Sequence, residues 1–553
     1  MSAPNPSVAM AGVFIDELVR NGIRDLVLAP GSRSGALAMT AAAETRLHVH
    51  VALDERSAGF WAVGYGKGGN APAVVLTTSG TAVANLLPAI VEADRSQTPV
   101  VVISADRPAE ARHSGANQTI DQIKIFGERV RFFADVPAAS DVAGEPSAWR
   151  SLVCQAVAAA RTGPIHLNLG FREPLVPATD DGRTVAEPYR ADLAGRSGGR
   201  AWTQAERGEG TAGQLRVSDR TLVVAGPGAD PDLVNAAIDL GLVVIAEGHS
   251  GCRFPGTIST AHHLLGSEVL SEVLHPDLIV ALGTPGLSRS LANLLTKVET
   301  IMAGPGWFDP GRNAAQMREI GEWVPDGVDD SWAASWHKAE AKARHIIDQV
   351  LDSIPEITEP RAARDVVAAV PDGGVLAVAS SMPVRDVDWF SSPRTGLAFV
   401  SNRGASGIDG FISLAAGAAA VAGKPVVGLV GDLSFLHDTN GLLMKPTPDL
   451  VLVLVNNNGG GIFSFLPQAE YPEHFEQVFG TPSGVDFGGL SGALGAVHTL
   501  VERPEQLPNS IKEAVAAGGI SVVEIRTDRA RNVEVHRQIT AEVTRAVEAL
   551  FES

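Results

Sequence analysis

Two strand ends carry the residues with most to offer chemically. An apolar run, Val426-Val427-Gly428-Leu429-Val430, ends in Gly431-Asp432-Leu433-Ser434, and a second, Leu450 to Val455, ends in Asn456-Asn457-Asn458-Gly459-Gly460. One end supplies a carboxylate, the other amides and glycines. Such a pairing suits a hard cation: Asp432 and one asparagine offer oxygens, a glycine lets a backbone carbonyl turn inward, and Mg²⁺ keeps its remaining positions for water and phosphate oxygens. Two strand ends closed by ordinary Asx turns would use the same residue types. Further polar or charged turns follow other apolar runs: Pro30-Gly31-Ser32-Arg33-Ser34, Asp54-Glu55-Arg56, Thr78-Ser79-Gly80-Thr81 and Ser104-Ala105-Asp106-Arg107-Pro108. Open α/β sheets build one ligand site from several such loops at the carboxyl ends of their strands.

The elements that must position these residues alternate between strand and helix signals. In the first part, Ala11 to Arg20 has helical apolar spacing, and Leu26 to Leu28, Val49 to Leu53, Ala73 to Leu76 and Val100 to Ile103 are strands. A helix is expected over Ala82 to Ala93. The last part repeats the pattern with strands at Val375 to Ala379, Leu397 to Val400, Val426 to Val430, Leu450 to Val455 and Ile520 to Ile525, and a helical segment after Asp438. The two parts resemble copies of one duplicated fold. The expected domains are an α/β domain over about 1–185, a linker over 186–220, a smaller Rossmann-like unit over 221–310, a connector over 311–355 and an α/β domain over 356–553. The Gly226-Pro227-Gly228 turn of the middle unit invites a dinucleotide reading, but Pro231 stands where the third glycine belongs.

Bulk composition narrows the class. With 553 residues the chain exceeds one core, and 45% hydrophobic content with 58 glycines fits an α/β enzyme rich in tight turns. A net charge of −19 argues against nucleic-acid partners or an anionic membrane surface. Acidic substrates then need arginines placed locally. Cys154 and Cys252 lie far apart with no metal-type spacing, which points to a reducing cytoplasm. The start, Met1 to Pro6, lacks signal-peptide character. Phe411 to Val430 is mostly Ala and Gly and is interrupted by Lys424-Pro425, so it reads as helix then strand, without membrane insertion.

The Gly431-Asp432 to Asn456-Asn457 spacing resembles the signature of enzymes dependent on thiamine diphosphate. The loops Pro30 to Ser34, Thr78 to Thr81, Asp106 to Pro108, Ala116 to Thr119, Ser401 to Gly410 and Asn456 to Phe463 together resemble one of its families, the 2-succinyl-5-enolpyruvyl-6-hydroxy-3-cyclohexene-1-carboxylate synthases of menaquinone biosynthesis. The resemblance covers both outer domains and is weaker in the middle one. It implies a thiamine-diphosphate-binding fold of three α/β domains with parallel sheets, the pyrimidine-binding and diphosphate-binding domains flanking a smaller one. It implies a transferase that decarboxylates 2-oxoglutarate and adds the succinyl carbanion equivalent to isochorismate.

Carried over motif by motif, the metal, Mg²⁺ or Mn²⁺ in its place, falls to Asp432, Asn457 and the Gly459 carbonyl. Catalysis falls to Glu55, a carboxylate against the cofactor's pyrimidine. The cofactor set adds Ser79, Gly80, Ser381, Leu433, Ser434, Ile462 and Phe463, and the substrate set is Ser32, Arg33, Arg107, Gln118, Arg289, Arg385, Arg403 and Leu466. Beside Arg289 stands Ser288 where some members place a lysine. The resemblance also implies a homodimer or homotetramer whose sites are shared between subunits. Two rivals are an acetohydroxyacid synthase or 2-oxoacid decarboxylase of the same superfamily, and a non-catalytic thiamine-diphosphate-fold assembly protein. The incomplete Gly226 turn, poor for FAD, and the number of arginines weigh against the first.

Overall fold

Short runs of Val, Ile, Leu and Ala, buried on both faces, form strands such as Ala73–Thr77, Val100–Asp106 and Leu450–Asn456, as expected of parallel sheets covered on each side. The structure, a computed structural model, describes residues 5–140, 142, 144–175, 193–203, 213–304, 308–310 and 314–552. Its first sheet contains β1 (Asp25–Leu28), β2 (His48–Val51), β3 (Ala73–Thr77), β4 (Val100–Asp106), β5 (Phe133–Val136) and β6 (Pro164–Gly170) in the order β2-β1-β3-β4-β6-β5. Next come β7 (Gly213–Val217), β8 (Thr221–Ala225), β9 (Val243–Ala246), β10 (Leu278–Leu282), β11 (Thr300–Ala303), β12 (Ala314–Arg318) and β13 (Ile320–Pro325). They form a five-stranded sheet ordered β12-β11-β10-β8-β9 and a β13-β7 pair. The last sheet contains β14 (Val375–Val378), β15 (Ala398–Ser401), β16 (Val426–Gly431), β17 (Leu450–Asn456), β18 (Val497–Val501) and β19 (Ile520–Arg526), ordered β15-β14-β16-β17-β19-β18.

All these named strands pair in parallel. The two six-stranded sheets have the same order, strand for strand, which is what a duplicated fold leaves behind. Contacts divide the chain into two compact units: residues 1–208, 402–423 and 436–449, and residues 209–401, 424–435 and 450–553. Of the expected linker, 186–192 and 204–212 lie outside the described residues, as does the boundary at 185. The linker's last part contains β7, which pairs with β13 from the expected connector.

Three local expectations need correction. Ser104 to Asp106 are strand, not turn, because Ser104 Oγ donates to Asn168 Oδ1 at 2.8 Å and the Asp106 carboxylate accepts from Asn168 Nδ2 at 2.9 Å, so these polar residues are satisfied inside the sheet. The helix expected over Ala82 to Ala93 is two helices, Thr81–Ala84 and Leu87–Arg95, with Pro88 near the start of the second. Between β16 and β17 the α-helix is Asp432–His437, ahead of Asp438. Asp438 turns inward instead, accepting from Ser57 Oγ at 2.8 Å and Ser413 N at 2.7 Å, and only a 3₁₀ turn, Thr439–Leu443, follows.

The Ala- and Gly-rich stretch is the helix Phe411–Ala422, packed on the helix Glu55–Gly69. Small residues let the two backbones touch. A Cβ on Gly64 would lie 1.9 Å from the Leu414 carbonyl oxygen, and one on Gly417 would lie 2.0 Å from that of Trp61. Gly64→Ala is therefore expected to destabilise the protein by about 1–3 kcal/mol or more. Gly12, in the helix Pro6–Arg20 with open space around its Cβ position, should gain about 0.5–1 kcal/mol as Gly12→Ala. Thermal unfolding of the two variants should shift in opposite directions. No helix among the described residues is long and apolar enough to cross a membrane.

Candidate active site

In the unit holding the last sheet, β16 delivers Asp432 to the first position of a helix and β17 delivers the three asparagines. Asp432 is 2% exposed; its Oδ2 accepts from Gly459 N at 2.7 Å and its Oδ1 from Leu433 N at 2.8 Å. Burial pushes its carboxyl up to about 6, against the pull of those two amides. The asparagines divide by their partners. Asn456 Nδ2 donates to Glu524 Oε1 at 2.8 Å and its Oδ1 accepts from Asn458 N at 3.1 Å, while Asn458 Oδ1 accepts from Gly484 N at 3.2 Å. Asn457 Nδ2 donates to Glu359 Oε1 at 2.9 Å, and its Oδ1 is buried with no hydrogen-bond partner among the described residues. A buried amide oxygen without a donor is costly unless something binds there. Asp432 and Asn457 follow neighbouring parallel strands, β16 and β17, and a carboxylate with an amide oxygen is a donor pair that suits a hard cation.

Gly459 adopts φ +139°, and a Cβ there would lie 2.0 Å from the Gly480 carbonyl oxygen, so the segment needs glycine. Glycine also lets Gly459 N reach Asp432, although its carbonyl accepts from Gly461 N at 2.9 Å in this conformation. Leu433 and Ser434 continue the Asp432 helix. Ile462, Phe463 and Leu466 are half-buried in and just after the 3₁₀ turn Gly461–Phe465, with the Phe463 ring against Phe479. Ser381 follows β14 at φ +76°, ψ −132°, a conformation costly for a side chain and concentrated at functional sites. Its carbonyl accepts from Arg385 Nη1 at 2.6 Å. Arg289 is exposed at the start of the helix Arg289–Lys297, and among the described residues no hydrogen bond or ion pair ties it to another predicted site residue.

The other unit gathers the loops of the first sheet. Gly31 sits against Thr78, joining the turns after β1 and β3. Ser79 and Gln118 exchange hydrogen bonds, Ser79 Oγ to Gln118 O and Gln118 Nε2 to Ser79 O, both 3.0 Å. Arg107 Nη2 donates to Asn117 O at 2.8 Å, and Arg33 Nη1 to Phe171 O at 2.9 Å. Burial, and then the nearby Arg107 charge, lower the pKa of Arg33, while the Glu173 and Asp106 carboxylates act in the opposite direction. Ser32 lies in the same loop. Glu55 opens the helix Glu55–Gly69 after β2, capped by Asp54, whose carboxylate accepts from Arg56 N at 2.8 Å. Among the described residues the Glu55 carboxylate accepts one long bond, 3.5 Å, from Asn85 Nδ2. Arg403 belongs to this unit, in the loop after β15.

The family described as thiamine pyrophosphate enzyme, N-terminal TPP binding domain, matches residues 9–125, and that described as thiamine pyrophosphate enzyme, C-terminal TPP binding domain, matches residues 379–525. A 2-succinyl-5-enolpyruvyl-6-hydroxy-3-cyclohexene-1-carboxylate synthase of Thermobifida fusca (strain YX) is 43% identical, over 98% of this chain and 100% of its own. Proteins of the same name from Saccharopolyspora erythraea and Chloroflexus aurantiacus are 41% and 40% identical, over 98% and 96% of this chain and 100% and 95% of theirs. The chain belongs to the 2-succinyl-5-enolpyruvyl-6-hydroxy-3-cyclohexene-1-carboxylate synthase family. It is a thiamine-diphosphate enzyme of menaquinone biosynthesis.

Sequence reasoning missed several residues that shape this synthase's loops. Gln122 is buried; its Oε1 accepts from Gly80 N at 2.9 Å and its Nε2 donates to Asn168 Oδ1 at 2.8 Å, fixing the Ser79-Gly80 turn to β6. Glu359, whose carboxyl is pushed up to about 8 chiefly by burial and then by the Asp386 charge, accepts from Asn457 Nδ2 and, at 3.0 Å, from Thr527 Oγ1. It turns the Asn457 amide so that Oδ1 faces away. Thr358-Glu359-Pro360 reads in sequence only as a helix start, with Thr358 as the capping residue.

Proposed function

We propose that this synthase decarboxylates 2-oxoglutarate and joins the remaining succinyl unit to isochorismate, using thiamine diphosphate anchored through Mg²⁺. The carrying observation is the buried Asn457 Oδ1, without a hydrogen-bond partner among the described residues, at the end of the strand next to the one that delivers the buried Asp432. Asp432, Asn457 and the Gly459 carbonyl would hold the metal, with Leu433 and Ser434 beside the diphosphate. When bound, thiamine diphosphate supplies the electron sink through which a 2-oxo acid loses CO₂ and its acyl carbon reaches an acceptor. Glu55 holds the pyrimidine with Ser79, Gly80 and Ser381 lining the cofactor, and Ile462, Phe463 and Leu466 keep water from the reacting face. Isochorismate carries two carboxylates and the succinyl unit keeps one. Arg33, Arg107, Arg385 and Arg403 supply fixed, bidentate cations for them, with Ser32, Gln118 and Arg289 completing the set.

The names of the full-length relatives support this reading over an acetohydroxyacid synthase or a decarboxylase. We read the chain as a pyrimidine-binding domain over about 1–185, a middle domain over about 221–310 and a diphosphate-binding domain over about 356–553, acting in the cytoplasm as a homodimer or homotetramer with shared sites. Product formation that requires both 2-oxoglutarate and isochorismate tests the reaction, and turnover of pyruvate in their place would refute it.

Metal and substrate residues separate in a binding experiment. Asp432→Ala should weaken Mg²⁺-dependent binding of thiamine diphosphate by more than about a hundredfold, since it removes the anionic ligand. Arg403→Ala should leave that affinity unchanged and raise a substrate KM by about ten- to a hundredfold, the worth of a charged hydrogen bond. Titration calorimetry of both variants decides it; equal cofactor losses would remove Arg403 from the substrate set.

A further inference from the structure

Arg403 sits on a loop with no regular structure of its own, between β15 and the helix Phe411–Ala422, and two consecutive backbone amides of that loop are held by one carboxylate. Glu92, on the helix Leu87–Arg95, is 2% exposed. Its Oε1 accepts from Gly404 N at 2.9 Å and its Oε2 from Ala405 N at 2.6 Å, so one carboxylate takes the two consecutive amides that follow Arg403. Lys67 Nζ donates to Oε1 at 2.6 Å and neutralises the buried charge. The backbone approach is equally close. A Cβ on Gly404 would lie 2.6 Å from the Glu92 carbonyl oxygen and 2.9 Å from Ser96 N.

A lone buried carboxylate is expensive, and a carboxylate that satisfies two adjacent backbone amides and a lysine is strongly held in place. Two bonds to neighbouring amides also fix the direction of the peptide between them, which a single bond does not. The direction of that peptide sets where the Arg403 Cα points. We propose that Glu92 is a positioning residue for substrate binding, a buried anchor that orients the Arg403 guanidinium toward a substrate carboxylate while itself touching neither substrate nor cofactor. The inference rests on the reading of Arg403 as a substrate cation. It gives a purpose to a buried Glu–Lys pair that cofactor binding leaves unused.

The test compares Glu92→Gln, Arg403→Ala and the double variant, measuring KM for 2-oxoglutarate and for isochorismate, kcat, and thiamine diphosphate affinity by calorimetry. Glu92→Gln is expected to raise KM for the substrate that Arg403→Ala affects, by about tenfold or more, with cofactor affinity unchanged, because a displaced cation loses binding without altering the metal site. The double variant should be no worse than Arg403→Ala alone, since Glu92 acts only through Arg403. To guard against a misfolded Glu92→Gln chain, Lys67→Met with Glu92→Gln removes the lysine charge together with the carboxylate that balances it, and Gly404→Ala displaces the loop with the Glu92–Lys67 pair left intact; both should raise the same KM. If Arg403→Ala raises KM and the Glu92 and Gly404 variants do not, the inference fails and the substrate reading stands. Multiplicative effects in the double variant would likewise make Glu92 merely structural. An Arg403→Ala enzyme with unchanged KM for both substrates would overturn both.

Discussion

A Glu55→Gln enzyme is expected to bind thiamine diphosphate normally and to exchange the C2 proton of its thiazolium more slowly by about two to four orders of magnitude. The substitution keeps size and the capability to accept the long Asn85 bond. What it removes is the negative charge that favours a shared proton at the pyrimidine nitrogen. The helix start should survive, because its cap is Asp54 and not Glu55. Glu55 is also poorly tied to its own chain for a residue at a helix N-terminus, where acidic groups are stabilised by the helix dipole. Hydrogen–deuterium exchange at C2, followed by quenching and NMR, reads the effect directly. A variant that exchanges at the parent rate would take Glu55 out of the mechanism.

The second large effect concerns subunit sharing. Glu55 and Asp432 lie in different compact units of the chain, and one cofactor needs both ends held. If one chain's Glu55 works with the partner subunit's Asp432, an isolated heterodimer of a Glu55→Gln chain and an Asp432→Ala chain places both lesions in one site and leaves the other intact. Such a heterodimer should recover about half the activity of the parent dimer, from one of two equivalent sites. Sites built within single chains would each carry one lesion, and the heterodimer would be as inactive as either homodimer. Differential tags, purification of the mixed species and one rate measurement distinguish the two.

Much of this was legible from local pattern. Runs such as Val100 to Ile103 and Leu450 to Val455 are apolar on both faces, and only a sheet covered on both sides buries such runs, so a parallel α/β fold follows from them without tertiary information. Polar and glycine-bearing segments at the carboxyl ends of such runs are where an open α/β sheet collects its ligands. One strand with polar alternation, β6, was not among those expected. β6 reads Pro164-Ile165-His166-Leu167-Asn168-Leu169-Gly170; its buried Asn168 is satisfied by Ser104, Gln122, Asp106 and Asp135 from elsewhere in the fold, and His166 Nε2 pairs with Ser104 Oγ.

By itself the sequence determined the α/β class, the repeated strand–helix order of the outer parts and the Asp432 and asparagine-glycine strand ends, because these depend on apolar period and on residue types at turns. Tertiary structure alone decided how the polar groups at those ends are shared out. Glu524 and Gly484 engage Asn456 and Asn458, and Glu359 engages the nitrogen of Asn457 and leaves its oxygen bare. Glu92 reaches the Gly404 and Ala405 amides from more than three hundred residues away in the chain. A hydrogen bond is made by whatever donor or acceptor the fold brings within about 3 Å, and chain separation carries no information about that distance once the helices and sheets have packed.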